Sequence, residues 1–306
     1  MSVYQKQPLS FEAQADQLLA RGLQADRATL IKRLRAVNYY RLSGYLFPFR
    51  QRDANGQPID NFVPGTTLDL IWRRYNFDRR LRVLLLDVIE RIEVGVRTQL
   101  IYRFAHAHGA FGHLEPNNLP GLNKISDYLE WRSKLVEETE QARNEQFVKH
   151  FRTKYGDNHR ELPIWMLCEL MSFGSMLTLA RGVAPAMQQT VAGEFGLPDE
   201  LFFSWLRSLY SLRNACAHHS RIWNREFGTA PKTPGKNKFP DWHSAPEIPN
   251  NRVGYLLTIC HFWLGRITHT SQWRKRLFAL FDEYPEIPLA DMGLPPDWRN
   301  HPLWKV

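Results

Sequence analysis

The sequence predicts an all-α protein. Apolar residues recur three to four positions apart over long stretches, few segments alternate with the two-residue period of a strand, and Pro, Gly and Asn punctuate the chain between them. From the amino end, residues 11–23 carry apolar positions near helical spacing and meet Gly22. Asp26 is suited to cap a second helix through Ile31, Leu34 and Val37, because its carboxylate can accept from a first-turn N–H. A block dense in aromatics follows from Val37 to Phe49 and is closed by Pro48. Residues 51–65 form a turn-rich connector in which Asn55-Gly56 suits a small hairpin.

The strongest periodic segment begins at Thr66 or Thr67 and is expected to run to about His108. Leu81, Leu85, Val88, Ile92, Val96 and Leu100 make its buried stripe, while Arg79, Arg80, Arg82 and Arg91 lie on other faces. Residues 109–122 read as a loop. Helices are expected over about 123–153, 163–181, 184–195 and 198–219, then a Pro/Lys/Gly loop over 228–249 and a final helical pair over about 250–268 and 271–283. This gives three regions: an N-terminal helical accessory region (1–65), a helical core (66–228), and a basic loop with C-terminal helices packing on the core (229–306).

At 306 residues, with 43% hydrophobic and 23% charged residues, the chain can build a substantial core, and bulk disorder is excluded. No stretch of about 18 apolar residues exists to span a bilayer. The amino end lacks the apolar core of a signal peptide, and Cys168, Cys216 and Cys260 are too few and scattered for a disulfide framework. A cytoplasmic protein is expected. The net charge of +9 comes from 29 Arg and only 11 Lys against 31 acids. Arginine grips phosphate bidentately and stacks on bases, so this balance leans toward a nucleic-acid partner, although a GC-rich genome would give the same bias.

Residues 205–227 hold the chemistry. Arg213 and His218 stand in an Arg-x4-His arrangement, with Asn214 beside the arginine. The bare pattern is weak: 29 Arg and 11 His in 306 positions give about three such pairs at spacings of four to six by chance, and Arg103/His108, Arg143/His150 and Arg152/His159 also occur. Context favours Arg213. It lies on a late helix striped by Leu206, Leu209 and Leu212, and Ala215, Cys216 and Ala217 let another backbone come close.

The block Arg213-Asn-Ala-Cys-Ala-His-His-Ser-Arg-Ile-Trp-Asn224 resembles the signature of the bacterial Abi proteins of the abortive-infection AbiD/AbiF type, a branch of the HEPN ribonucleases. Three further stretches are similar to that family: residues 38–45 (Asn-Tyr-Tyr-Arg-Leu-Ser-Gly-Tyr), residues 89–97 (Ile-Glu-Arg-Ile-Glu-Val-Gly-Val-Arg), and Leu162-Pro-Ile-Trp-Met with Ser172-Phe-Gly-Ser175. Together they cover about residues 15–228, and the last eighty or so lie largely outside. The resemblance implies a HEPN-like helical bundle with an N-terminal helical and aromatic extension and a C-terminal helical hairpin. It further implies a metal-independent endoribonuclease that dimerises and acts as a growth-arresting toxin in phage defence; some relatives pair with a small structured antitoxin RNA.

The chemistry follows from RNA itself. The 2′-hydroxyl is the nucleophile, so the protein need only move protons and stabilise charge on phosphorus. An imidazole can act as base toward the 2′-OH or acid toward the leaving 5′-oxygen, and a guanidinium can hold the crowded phosphate oxygens. Arg213 and His218 would take these parts, with Asn214 orienting the imidazole or a ribose hydroxyl. Positions five apart on a helix diverge by roughly 140°, whereas Asn214 and His218, four apart, share a face. A two-fold copy would pool two Arg and two His, so an obligate homodimer is expected. No cofactor and no metal are required: His219 and Cys216 lack a second Cys/His pair at zinc spacing.

Supporting residues carry blander readings as well. Tyr39, Tyr40 and Arg41 could stack and grip RNA, or belong to the core. Glu93 and Arg97, four apart, read as an ion pair or as support for the site, and Arg91 belongs to the same helix. His219 and Arg221 flank the motif. Lys232, Lys236 and Lys238 read as solubilising charge rather than a phosphate clamp. A non-catalytic RNA-binding scaffold and a metal-dependent nuclease are the competing functions; the presence of both Arg213 and His218 favours the ribonuclease.

Overall fold

The computed structural model describes residue 5 and residues 7–268 and 270–305. Ser10 and Asp26 cap the first two helices, α1 (Phe11–Ala20) and α2 (Arg27–Val37). The Ser10 hydroxyl accepts from the Ala13 N–H at 3.1 Å and the Asp26 carboxylate from the Thr29 N–H at 2.7 Å. Each satisfies a donor that an opening turn leaves unpaired. The aromatic block forms α3 (Tyr39–Leu46), capped by Asn38, whose side-chain oxygen accepts from the Tyr40 N–H at 2.7 Å. The hairpin expected at Asn55-Gly56 is present: β1 (Arg50–Arg52) pairs antiparallel with β2 (Pro58–Phe62), with an irregularity between Arg50 and Arg52.

The long periodic segment is a single helix, α4 (Leu68–His108). Eight more follow: α5 (Ile125–Gln141), α6 (Gln146–Tyr155), α7 (Ile164–Leu167), α8 (Phe173–Gly182), α9 (Pro185–Glu194), α10 (Asp199–Ala217), α11 (Val253–Ile267) and α12 (Trp273–Glu283). With twelve α-helices and one two-stranded ribbon among the described residues, the fold is mostly α. Two expected helices are broken. Residues 123–153 divide between α5 and α6, where the Ala142 N–H turns back to the carbonyls of Glu138 and Glu140. Residues 163–181 divide because Ser172 caps α8: its hydroxyl accepts from the Ser175 N–H at 3.2 Å. Glu138 of α5 secures that start, accepting from the Ser175 hydroxyl at 2.8 Å and the Ser172 N–H at 3.3 Å.

The chain divides into two compact units, Met1–Arg82 with Leu277–Ile287, and Val83–Arg276 with Pro288–Val306. The first unit buries Leu18, Leu30, Leu34, Leu42 and Phe77. Inside it Arg82 pairs with Asp78, which also accepts from the Tyr45 hydroxyl at 2.6 Å. Those bonds offset the desolvation that a buried ion pair incurs. The second unit is built on the α4 stripe of Leu85, Val88, Ile92, Val96 and Leu100, together with Leu206, Leu209 and Leu212 of α10, all essentially inaccessible. Trp205 completes this core, its ring 4.9 Å from Trp242, 5.5 Å from Phe262 and 6.2 Å from Trp263. Among the described residues, no helix is long and apolar enough to cross a membrane.

Candidate functional site

The motif occupies the carboxyl end of α10. The leucine stripe turns one face of the helix into the core, which leaves Arg213 and Asn214 half-buried and Ala217, His218 and His219 exposed. The helix stops with a Schellman arrangement: the His219 N–H donates to the Cys216 carbonyl at 3.0 Å and the Ser220 N–H to the Ala215 carbonyl at 2.8 Å. His218 is the C-cap, its N–H still bonded to the Asn214 carbonyl at 2.9 Å, so the helical register persists to it. His219 takes the left-handed position that glycine usually fills, at φ 58°. Asn38, at φ 65°, is the other non-glycine residue with positive φ among the described residues. Both lie in the blocks set apart in the sequence.

Arg213 donates through Nη1 to the Asn214 side-chain oxygen at 3.4 Å. Its charge also reaches Glu93 of α4. Burial pushes the Glu93 carboxyl above its ordinary value, and the positive charges of Arg97 and Arg213 oppose that rise. Glu93 and Arg97 form an ion pair at 2.7 Å with both side chains largely buried, and Arg97 donates to the Met171 carbonyl at 3.0 Å, just ahead of the Ser172 cap. The turn before α8, the middle of α4 and the end of α10 are thus linked by one chain of charges and hydrogen bonds.

The other candidates are placed differently. Arg91, two residues from Glu93 and so on the far side of α4, pairs with Asp87 at 3.2 Å and reaches the Ser271 hydroxyl at 3.5 Å. Tyr39, Tyr40 and Arg41 belong to the first compact unit, whereas Arg213 and His218 belong to the second. There the Tyr39 hydroxyl accepts from Arg21 at 3.0 Å, while Tyr40 is 85% exposed. Arg221 is half-buried, and the adjacent Ile222 and Trp223 are fully buried, which anchors the segment after the motif. Cys216 is buried while His219 is exposed. Among the described residues, no group of three His, Cys, Asp or Glu is placed to hold a metal.

Sequence reasoning passed over two side chains on the Asn214 face. Arg207, exposed, and Tyr210, half-buried, precede Asn214 by seven and four residues, the spacing of a shared helical face. The Tyr210 ring meets Phe173 edge-on with centroids 5.7 Å apart, holding α10 to the start of α8. The i−4 and i−7 positions of the motif were the available signal.

The end of α10 thus carries an exposed imidazole one turn from a half-buried amide, and that amide accepts from the half-buried Arg213 guanidinium, groups able to move a proton and to hold an anion. The sequence pattern of the Abi-like protein family matches residues 32–224, well over half of the chain, and the protein belongs to that family. No curated protein and no solved structure matches it.

Proposed function

We propose that this protein is a HEPN-type, metal-independent endoribonuclease of the AbiD/AbiF kind, acting as a homodimeric growth-arresting toxin in abortive-infection defence against phage. The observation that carries the reading is the placement of the Arg213-Asn214…His218 block: His218 is exposed on the C-cap of α10, one helical turn from Asn214. Membership of the Abi-like family supports it. His218 of one copy takes the 2′-OH proton as that oxygen attacks phosphorus, and the P–O5′ bond breaks as the protonated His218 of the second copy gives its proton to the leaving 5′-oxygen. The products are a 2′,3′-cyclic phosphate and a 5′-hydroxyl. Arg213 stabilises the charge that builds on the phosphate oxygens. Since Arg213 and His218 leave the helix roughly 140° apart, a second copy completes the site. A small structured RNA encoded elsewhere is the candidate antitoxin, and the cytoplasm the compartment of action.

One observation favours the second reading, a non-catalytic RNA-binding scaffold: the Arg213 charge acts on the largely buried Glu93 carboxyl, so part of it is engaged within the protein. Induced expression separates the two. The ribonuclease reading expects growth arrest relieved by His218→Ala and by Arg213→Ala, with purified protein cutting RNA in EDTA and leaving 2′-deoxy substrate intact. Full toxicity of His218→Ala overturns it.

A further inference from the structure

A cavity of about 640 Å³ opens in the C-terminal part of the second unit, wholly outside the residues that match the family. Its volume lies within the range of about 300–1,000 Å³ typical of small-molecule sites. Four cations from four separate stretches of chain line it: Lys238 from the loop, Arg266 from the last turn of α11, Arg274 from the first turn of α12, and Lys305 near the carboxyl end. Asp241 is the one carboxylate among its described lining residues. Lys232 and Lys238 come from the same basic loop but differ: Lys232 pairs with Glu200, whereas no carboxylate among the described residues bridges Lys238, Arg266 or Lys305. A concave site with this surplus of positive charge attracts a polyanion.

The rest of the wall is aromatic. Trp242, Phe239 and Phe262 line it, and the Arg266 guanidinium lies 4.6 Å above the Phe262 ring, leaving a flat cationic surface. His261 stacks on Trp304 with planes 5° apart, and Arg274 donates to the Trp304 carbonyl at 3.0 Å. Burial and the Arg274 charge push the His261 imidazole down to about 4, so it meets a ligand as a neutral donor and acceptor. An inorganic anion has no use for rings, and an apolar ligand none for four cations. We propose that this cavity binds a nucleoside phosphate, its phosphate on Lys238, Arg266 and Lys305 and its base against the aromatic wall. The ligand is either a free nucleotide or the phosphorylated end of an RNA strand. The inference does not depend on the ribonuclease reading.

The test is titration calorimetry on the full chain with adenosine 5′-monophosphate, adenosine, inorganic phosphate and a 5′-phosphorylated penta-adenylate. The mononucleotide is expected to bind one per chain, at least tenfold more tightly than adenosine or phosphate. Lys238→Glu and Lys305→Glu, both at exposed side chains, are each expected to weaken it at least tenfold without lowering Tm, and Arg266→Ala to do the same. Tighter, competing binding by the oligonucleotide identifies the strand end as the source; absence of competition identifies the free nucleotide. No saturable binding of the mononucleotide, or binding indifferent to both lysine reversals, overturns the proposal. His218→Ala should leave this binding intact, so its failure and that of the ribonuclease reading are told apart.

Discussion

His219 is one of two non-glycine residues with positive φ among the described residues. A left-handed conformation costs an L-residue other than glycine about 1–2 kcal/mol, and the Schellman turn at the end of α10 requires it there. His219→Gly is therefore expected to stabilise the protein by about 1 kcal/mol, seen as a higher urea midpoint at constant m-value. His218 shares none of that constraint. It is exposed, with ordinary φ, so His218→Ala should leave Tm within a degree or two of the parent while abolishing RNA cleavage. A fall of several degrees would make it a structural cap. The motif itself was legible from residue types. The ion pair that frames it was legible as well, because Glu93 and Arg97 are four apart. That the Arg213 charge acts on Glu93 was not, since 120 positions separate them in the chain.

Helices were legible where local chemistry fixes them. The Asp26 cap, the six-residue apolar stripe of α4 and the Asn55-Gly56 hairpin depend on neighbours in sequence, and each forms as read. The breaks at 142–145 and 168–172 lack Gly and Pro, and their weaker local signals, Asn144 and the capping Ser172, sit inside otherwise helical runs. Ser172 stops one run and starts α8 through its own hydroxyl, backed by a carboxylate from α5. Ser172→Ala is expected to cost about 1 kcal/mol by chemical denaturation. A much smaller loss would mean that the Glu138 contacts alone hold the start of α8. Leu209 is fully buried on the helix that carries the motif, and Leu209→Ala is expected to cost about 2–5 kcal/mol.

Across the chain, the segment after 228 is part of the core rather than an appendage. Trp205 is fully buried among Trp242, Phe262 and Trp263, and its indole N–H donates to the Lys232 carbonyl at 2.9 Å. A chain ending at residue 228 should lose its cooperative thermal transition; retention of that transition would show that the earlier residues fold alone. Acid should also unfold the protein. Burial, reinforced by the Arg132 charge, pushes the His113 imidazole down to about 3, and His261 sits at about 4. An unfolded imidazole titrates near pH 6.5. Above that pH neither state binds the proton. Below it the unfolded chain does and the native one does not, so stability falls by about 1.4 kcal/mol per pH unit for each histidine until its folded pKa is reached. His113→Phe should reduce this slope between pH 6 and 4, measured by denaturant titration; an unchanged slope places the titration elsewhere.

The sequence by itself determined the helical character, most helix starts, the basic charge and the position of the Arg-Asn…His block, because periodicity, capping and charge are properties of neighbouring residues. Only the tertiary structure decided that the Arg213 charge acts on the Glu93 carboxyl, and that Lys238, Arg266, Arg274 and Lys305 gather around one cavity while Lys232 does not. Those placements come from packing between helices far apart in the chain, whose leucine and tryptophan faces must be buried before any polar group finds its neighbour.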